Sequence, residues 1–260
     1  MKSILLAALL AALPAHAILI RADRSDAEYV EMASKYKTSV AIPVAGGGEG
    51  VLIAPRWVLT SARIGKALQG VKDARIEVDG KKYKVVTVKI HPSWTPGYRN
   101  ANLALVYLDQ NVRSIEPTPL YRHPDEAGGI VVIVGHGETG HIGGKALQND
   151  GKKRGGINTI DRVAPRMITL TIKAGDEASD LQAAAGPGDE GGPAYYEING
   201  SLFVVGIAAG TDDNNRNGLI DAGDTQEYVR VSTYLDWVDD ATRKAAEDEL
   251  ADKLGGAGGS

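Results

Sequence analysis

The sequence predicts an all-β protein, an antiparallel barrel or sandwich, on three observations. From Val40 onward, short runs rich in Val, Ile, Leu and Tyr are broken by Gly, Pro, Asn and Asp. These runs follow one another too closely to leave room for the helices of a βαβ chain. The 260 residues, 43% of them hydrophobic, suffice for one large β domain or two small ones.

Residues 1–17 read as a signal peptide. Lys2 gives a positive start, residues 4–13 are apolar, and Ala15-His16-Ala17 is a small-x-small cleavage site. The chain is therefore expected to be secreted or periplasmic, with Ile18 as its new N-terminus. Loss of Lys2 takes the formal charge from −4 to −5. Residues 18–37 form a polar N-terminal segment with a short helix. Asp26 could cap it, and Tyr29, Met32 and Tyr36 recur at helical spacing.

Strands are expected at residues 40–44, 51–53, 57–61, 75–78, 83–90, 103–108 and 130–134, then at 167–172, 193–197, 202–208 and 227–231. Pro117, Pro119 and Pro124 with a Gly pair place a division near residues 111–128. Residues 136–158, rich in Gly and Lys, read as a surface loop, with Lys152, Lys153 and Arg154 solvated. A C-terminal helix is expected from Tyr234 to about Leu254, with Leu235, Val238, Ala241 and Ala245 on one face. Residues 255–260 read as a flexible tail.

There are no cysteines, which removes disulfides, thiol chemistry and Cys-containing metal sites. The small net charge gives no reason to expect nucleic acid or an anionic membrane, and no run after the leader is long enough to span a bilayer. His91 and His136 carry no metal-ligand pattern.

One loop does. Asp213, Asn215, Asn217, Asp221 and Asp224 fall at positions 1, 3, 5, 9 and 12 of a calcium loop, with Gly218 at position 6 and the Leu219 carbonyl at position 7. Asp replaces the usual Glu at position 12. The expectation is a structural Ca2+; the alternative is an Asx-rich turn that needs no ion.

Three short frames carry a resemblance. Leu59-Thr60-Ser61-Ala62-Arg63, Asn102-Leu103-Ala104-Leu105 and Gly188-Asp189-Glu190-Gly191-Gly192-Pro193 resemble the catalytic motifs of the trypsin-like (chymotrypsin-fold) serine proteases. The run from Gly50 to Thr60, His91-Pro92-Ser93-Trp94, Gly135-His136-Gly137 and the stretches 204–207 and 228–237 add to it, over roughly residues 38–240. The resemblance implies two antiparallel six-stranded β-barrels, at 38–120 and 121–232, with the active site between them and a C-terminal α-helix at 233–254.

Each frame lacks its catalytic residue: Arg63, Asn102 and Glu190 stand where the family has His, Asp and Ser. A guanidinium stays protonated and cannot serve as general base. Asn102 cannot stabilise an imidazolium, and a Glu190 anhydride would need activation that Arg63 does not supply. In the family the His and Ser side chains touch, so Arg63 and Glu190 are expected to pair, with Asn102 accepting a hydrogen bond behind Arg63.

The resemblance also implies an oxyanion-hole remnant at Gly188 and the residue 190 amide. It places Ala184 at the base of the primary pocket and Gly210 in its wall, with no acid to receive a Lys or Arg side chain. Asp189 either pairs with an Ile18 ammonium or bonds locally. The expectation is a non-catalytic homologue acting as a binding, decoy or regulatory protein, with a protein or peptide partner. The alternative is a hydrolase of altered chemistry that uses Glu190 and Arg63.

Overall fold

The computed structural model describes residues 18–148 and 150–255. The signal-peptide expectation for residues 1–17 and nearly all of the tail fall outside these residues.

The chain opens with β1 (Leu19–Ile20) and α1 (Asp26–Ser34). Ser25, rather than Asp26, caps α1: its side chain accepts from the helix while Glu28 reaches back to the Ser25 amide, a reciprocal capping box. The first barrel follows as β2 (Ser39–Ala41), β3 (Glu49–Ala54), β4 (Trp57–Thr60), a short α2 (Ala62–Leu68), β5 (Arg75–Val78), β6 (Lys81–Ile90) and β7 (Ala104–Leu108). Its hydrogen-bonded order is β2-β3-β4-β7-β6-β5, and the outer strands β2 and β5 lie side by side. Asp79 and Gly80 both take positive φ in the two-residue β5–β6 turn, the primed geometry that suits tight hairpins.

The second barrel contains β8 (Ile130–Gly135), β9 (Arg154–Val163), β10 (Met167–Thr171), β12 (Pro193–Ile198), β13 (Ser201–Asp212) and β14 (Thr225–Arg230); between β10 and β12 lies the two-residue β11 (Ala183–Ala184), which pairs with β1. The six strands close in the order β10-β14-β13-β12-β8-β9. A 3-10 turn over Val231–Tyr234 leads into α3 (Leu235–Gly255). The fold is thus two six-stranded antiparallel barrels with a C-terminal helix.

Each barrel has its own core, with Leu52, Val58, Ile76 and Tyr83 in the first and Ile133, Ile168, Leu170 and Val205 in the second. A further cluster joins them: Val51, Leu59 and Leu105 of the first barrel pack with Tyr195, Ile207 and Val229 of the second. Apolar burial on both sides of the joint fixes the barrels against each other, so groups on their facing loops are held in register.

The expected loop at 136–158 is only partly a loop. Its last residues enter β9, and Gly156 is needed there because a Cβ would come within 2.3 Å of the Ala183 Cβ. Of Lys152, Lys153 and Arg154, all expected to be solvated, only Lys152 is exposed. Arg154 is 1% exposed and is gripped by Asp26 at the start of α1 and by Asp150, while Lys153 Nζ donates to the Tyr36 carbonyl at 2.9 Å. Two carboxylates on one guanidinium compensate its burial. Among the described residues no helix is long and apolar enough to cross a membrane.

Candidate functional site in the cleft between the barrels

Arg63 stands in the first turn of α2, Asn102 just ahead of β7, and Glu190 in the turn between β11 and β12. Ser61 is the N-cap of α2, accepting from Ile64 N at 3.1 Å, which fixes the entry of the helix and the position of Arg63. The Arg63 Nε donates directly to Glu190 Oε2. Glu190 Oε1 accepts from Ser61 Oγ at 2.8 Å and from Asn102 Nδ2 at 3.2 Å. Asn102 Oδ1 in turn accepts from the Arg63 backbone amide at 3.0 Å. The three positions singled out in the sequence are therefore one hydrogen-bonded unit, with Ser61 as an unforeseen fourth member.

Below this unit lies a pocket of ≈ 210 Å³, lined among others by Arg63, Gly188, Glu190, Gly210, Ile220 and Tyr228. Gly188 takes φ +93, a conformation that glycine adopts freely, and shapes the turn at the pocket mouth. Ala184 does not line the pocket: it sits in β11 opposite Leu19, fully buried, and Ala185, Gly186 and Pro187 face the cleft instead. Gln226 closes the space behind. Its amide accepts from Ala185 N and donates to the Ala185 carbonyl, both at 2.9 Å, and to Thr211 Oγ1 at 3.2 Å.

Asp189 is 1% exposed. Its oxygens accept from Gly186 N at 2.8 Å, three residues before it, and from Gly137 N at 2.6 Å, 52 residues away just after β8. Burial pushes this carboxyl well above the usual carboxylate range, and nearby Glu49 adds to the effect against the opposing Gly186 bond. Ile18 is buried, its carbonyl accepting from Thr139 Oγ1, and Leu19 packs over Gly186 beside the Asp189 carboxyl.

Two further contacts tie the barrels together, and neither was foreseen. Glu49 of β3, also 1% exposed, accepts from His136 N at 2.7 Å and meets His136 Nδ1 at 3.0 Å. Arg99, from the loop before β7, lies flat against the far wall of the cleft. It donates to Asp212 Oδ1 at 2.8 Å and the Thr211 carbonyl at 3.0 Å, and a Cβ on Gly210 would come within 2.8 Å of its Nε. Only the glycine at 210 permits that approach.

The 213–224 loop joins β13 to β14 and reaches the pocket through Ile220. Asp213, Asn215, Asn217 and Asp221 are brought together: Asn217 N reaches Asp213 at 3.2 Å, while the Asn215 and Asn217 side-chain amides reach Asp221 at 2.8 and 2.6 Å. Asp224 departs from the expected ligand ring. It is buried at the loop base, where its two oxygens accept from Asn214 N and Asp221 N. The oxygens of the other four side chains accept hydrogen bonds from within the loop itself, and among the described residues no group of three or more His, Cys, Asp or Glu side chains is placed to hold a metal ion.

The trypsin family model matches residues 30–238. Among solved structures, the chain is similar to neuropsin, a serine protease expressed in the limbic system of mouse brain, at 15% identity and a TM-score of 0.63, over 81% of this chain and 96% of that one. That likeness speaks to the fold alone. A match over most of the chain, on two barrels that carry the three motif frames at their joint, shows that this chain belongs to the trypsin family.

Proposed function

We propose that this trypsin-family chain binds rather than cleaves: an exported pseudoprotease, acting as a binding, decoy or regulatory protein toward a protein or peptide partner. The observation that carries this is the Arg63–Glu190 contact. At the centre of the cleft stand a permanent cation, a carboxylate and an amide, mutually hydrogen-bonded. Neither Arg63 nor Asn102 can take a proton from a hydroxyl nucleophile and return it to a leaving amine, and both oxygens of Glu190 are engaged by Arg63, Ser61 and Asn102. Ser61 is fully buried and committed to both Glu190 and the cap of α2, so it cannot act as a substitute nucleophile.

The surroundings support the same reading. Gln226 fills space behind the pocket, and Arg99 covers the strand edge at Gly210 and Thr211 along which an extended peptide would pair. The rival, a hydrolase using Glu190, must free a carboxylate that already accepts three side-chain hydrogen bonds. Hydrolysis assays on broad peptide and ester pools, run with the native chain and with Glu190→Ala, separate the two. Turnover that the substitution abolishes would sink the non-catalytic reading.

Two further parts belong to this proposal. Removal of residues 1–17 leaves an Ile18 ammonium that turns in to pair with Asp189, supported by the buried position of Ile18 and by the packing of Leu19 beside that carboxyl. The 213–224 loop holds Ca2+ as a structural ion through Asp213, Asn215, Asn217, Asp221 and the Leu219 carbonyl, with Asp224 bracing the loop.

A further inference from the structure

The hydrogen-bonding capacity left over in the cleft is one-sided. Both oxygens of Glu190 are taken, by Arg63 Nε on one and by Ser61 and Asn102 on the other. Apart from the Gly188 carbonyl, the loop and side-chain groups here without partners among the described residues are donors. Arg63 uses only its Nε and its backbone amide, which leaves both terminal guanidinium nitrogens unbonded on a side chain that is 56% exposed. The Gly188 and Glu190 backbone amides have no acceptor, although the neighbouring amides of Asp189, Gly191 and Gly192 all do. The Tyr228 hydroxyl, on a residue 1% exposed that lines the same pocket, is also unpartnered, and burial raises its pKa so that it stays a donor.

Unpaired donors around a small cavity call for an oxyanion. The cavity between them is walled by Pro187, Ala208, Ile220 and the Tyr228 ring, and at ≈ 210 Å³ it takes a short apolar group and no more. Arg99 sets the remaining limit. By occupying the Thr211 carbonyl and the face of Gly210 it bars a chain from lying along β13, so a ligand can enter only end-on.

We propose that the cleft is a receptor for a carboxylate carrying a short apolar side group, with the C-terminus of a peptide as its source. The carboxylate is held in a fork by the terminal nitrogens of Arg63 and by the Gly188 and Glu190 amides, and the terminal side chain fills the pocket against Ile220 and Tyr228. Glu190 does not repel it, because its own charge is matched by Arg63. This site rests on the binding reading above and names its ligand. Its failure would leave that reading standing, since an absence of turnover is measured separately.

The test is calorimetric titration of the full chain with N-acetyl-Ala-Val as free acid, with the same dipeptide as C-terminal amide, and with isobutyrate. The acid should bind at least about tenfold more tightly than the amide, as expected for charge-assisted bonds. Arg63→Gln with Glu190→Gln, which keeps a neutral pair in place, should abolish that preference. Amide resonances of Gly188 and Glu190 in the unaltered chain should shift with the acid and not with the amide, a readout independent of any variant. Isobutyrate binding as tightly as the dipeptide would assign the site to free short-chain acids and keep the carboxylate. Equal binding of acid and amide, no binding of either, or an acid preference that survives the paired substitution would overturn the proposal.

Discussion

Arg63 Nε and Glu190 Oε2 are in direct hydrogen-bond contact across the joint between the barrels, although 127 residues separate them in the chain. Arg63 is more than half exposed while Glu190 is 18% exposed, so water screens one partner and the pair sits between the surface and buried regimes. A double-mutant cycle on Arg63→Ala and Glu190→Ala should give a coupling of roughly 1 kcal/mol in unfolding free energy. A coupling indistinguishable from zero would mean that the contact contributes nothing to joining the barrels.

The carboxyl of Glu126 should set part of the acid sensitivity of the second barrel. Burial alone would raise it, but hydrogen bonds from Arg230 at 2.9 and 2.7 Å and from Ser232 at 2.7 Å outweigh burial and hold it below the usual range. With the folded value depressed, the stabilisation is present above the unfolded value of about 4.3 and disappears as pH falls through the folded one. Glu126→Ala, which strands Arg230, should cost roughly 3 kcal/mol at neutral pH. The deficit should shrink on acidification, and one constant from neutral pH to pH of about 2 would contradict this assignment.

The strand pattern was legible because the breaks are chemical: Asp79-Gly80 and Asn199-Gly200 sit in two-residue hairpins at positive φ, where few other residues are comfortable. The triad positions and their pairing were legible because local motif frames carry them. The strand β9 was hidden because its paired glycines serve close approaches, Gly155 to Ala33 of α1 and Gly156 to Ala183 of β11, and look like loop composition in the sequence. The burial of Arg154 depends on Asp26, 128 residues away, and the place of Arg99 depends on Asp212, 113 residues away. No local pattern encodes such pairs. The pairing of Ala184 with Leu19, and its burial with Leu19 and Ile172, depend on a segment far earlier in the chain and leave no mark in the local frame.

Asp189 should respond to processing of the N-terminus. With residues 1–17 attached, Ile18 offers only an amide, and the folded carboxyl keeps its pKa above the unfolded value. Stability from this group is then full below the unfolded value of about 3.9 and is lost as pH rises through the folded one. In a chain beginning at Ile18 the ammonium compensates the carboxylate and that loss vanishes. The melting temperature of the processed form should therefore pull ahead of the unprocessed form from about pH 4 to pH 7, and Asp189→Asn should remove the difference. Parallel pH profiles for the two forms would rule the pairing out.

The 213–224 loop should respond to calcium. An ion that binds only the folded chain raises stability by mass action, by about 2.7 kcal/mol at a hundredfold excess over Kd. Added calcium should raise the melting temperature of the native chain and leave Asp213→Asn/Asp221→Asn unmoved. A native melting temperature indifferent to calcium would reduce the loop to an Asx-rich turn held by its own hydrogen bonds.

The most direct measurement of whether the cleft performs chemistry is the hydrolysis rate of pooled peptides and esters by the purified chain beginning at Ile18, set against Glu190→Ala. On the proposed non-catalytic reading, Arg63, Asn102 and Glu190 leave only weak binding and oxyanion effects, so both proteins should sit together, many orders of magnitude below a working protease. Turnover by the native chain that vanishes in Glu190→Ala would contradict that outcome and make Glu190 a catalytic group.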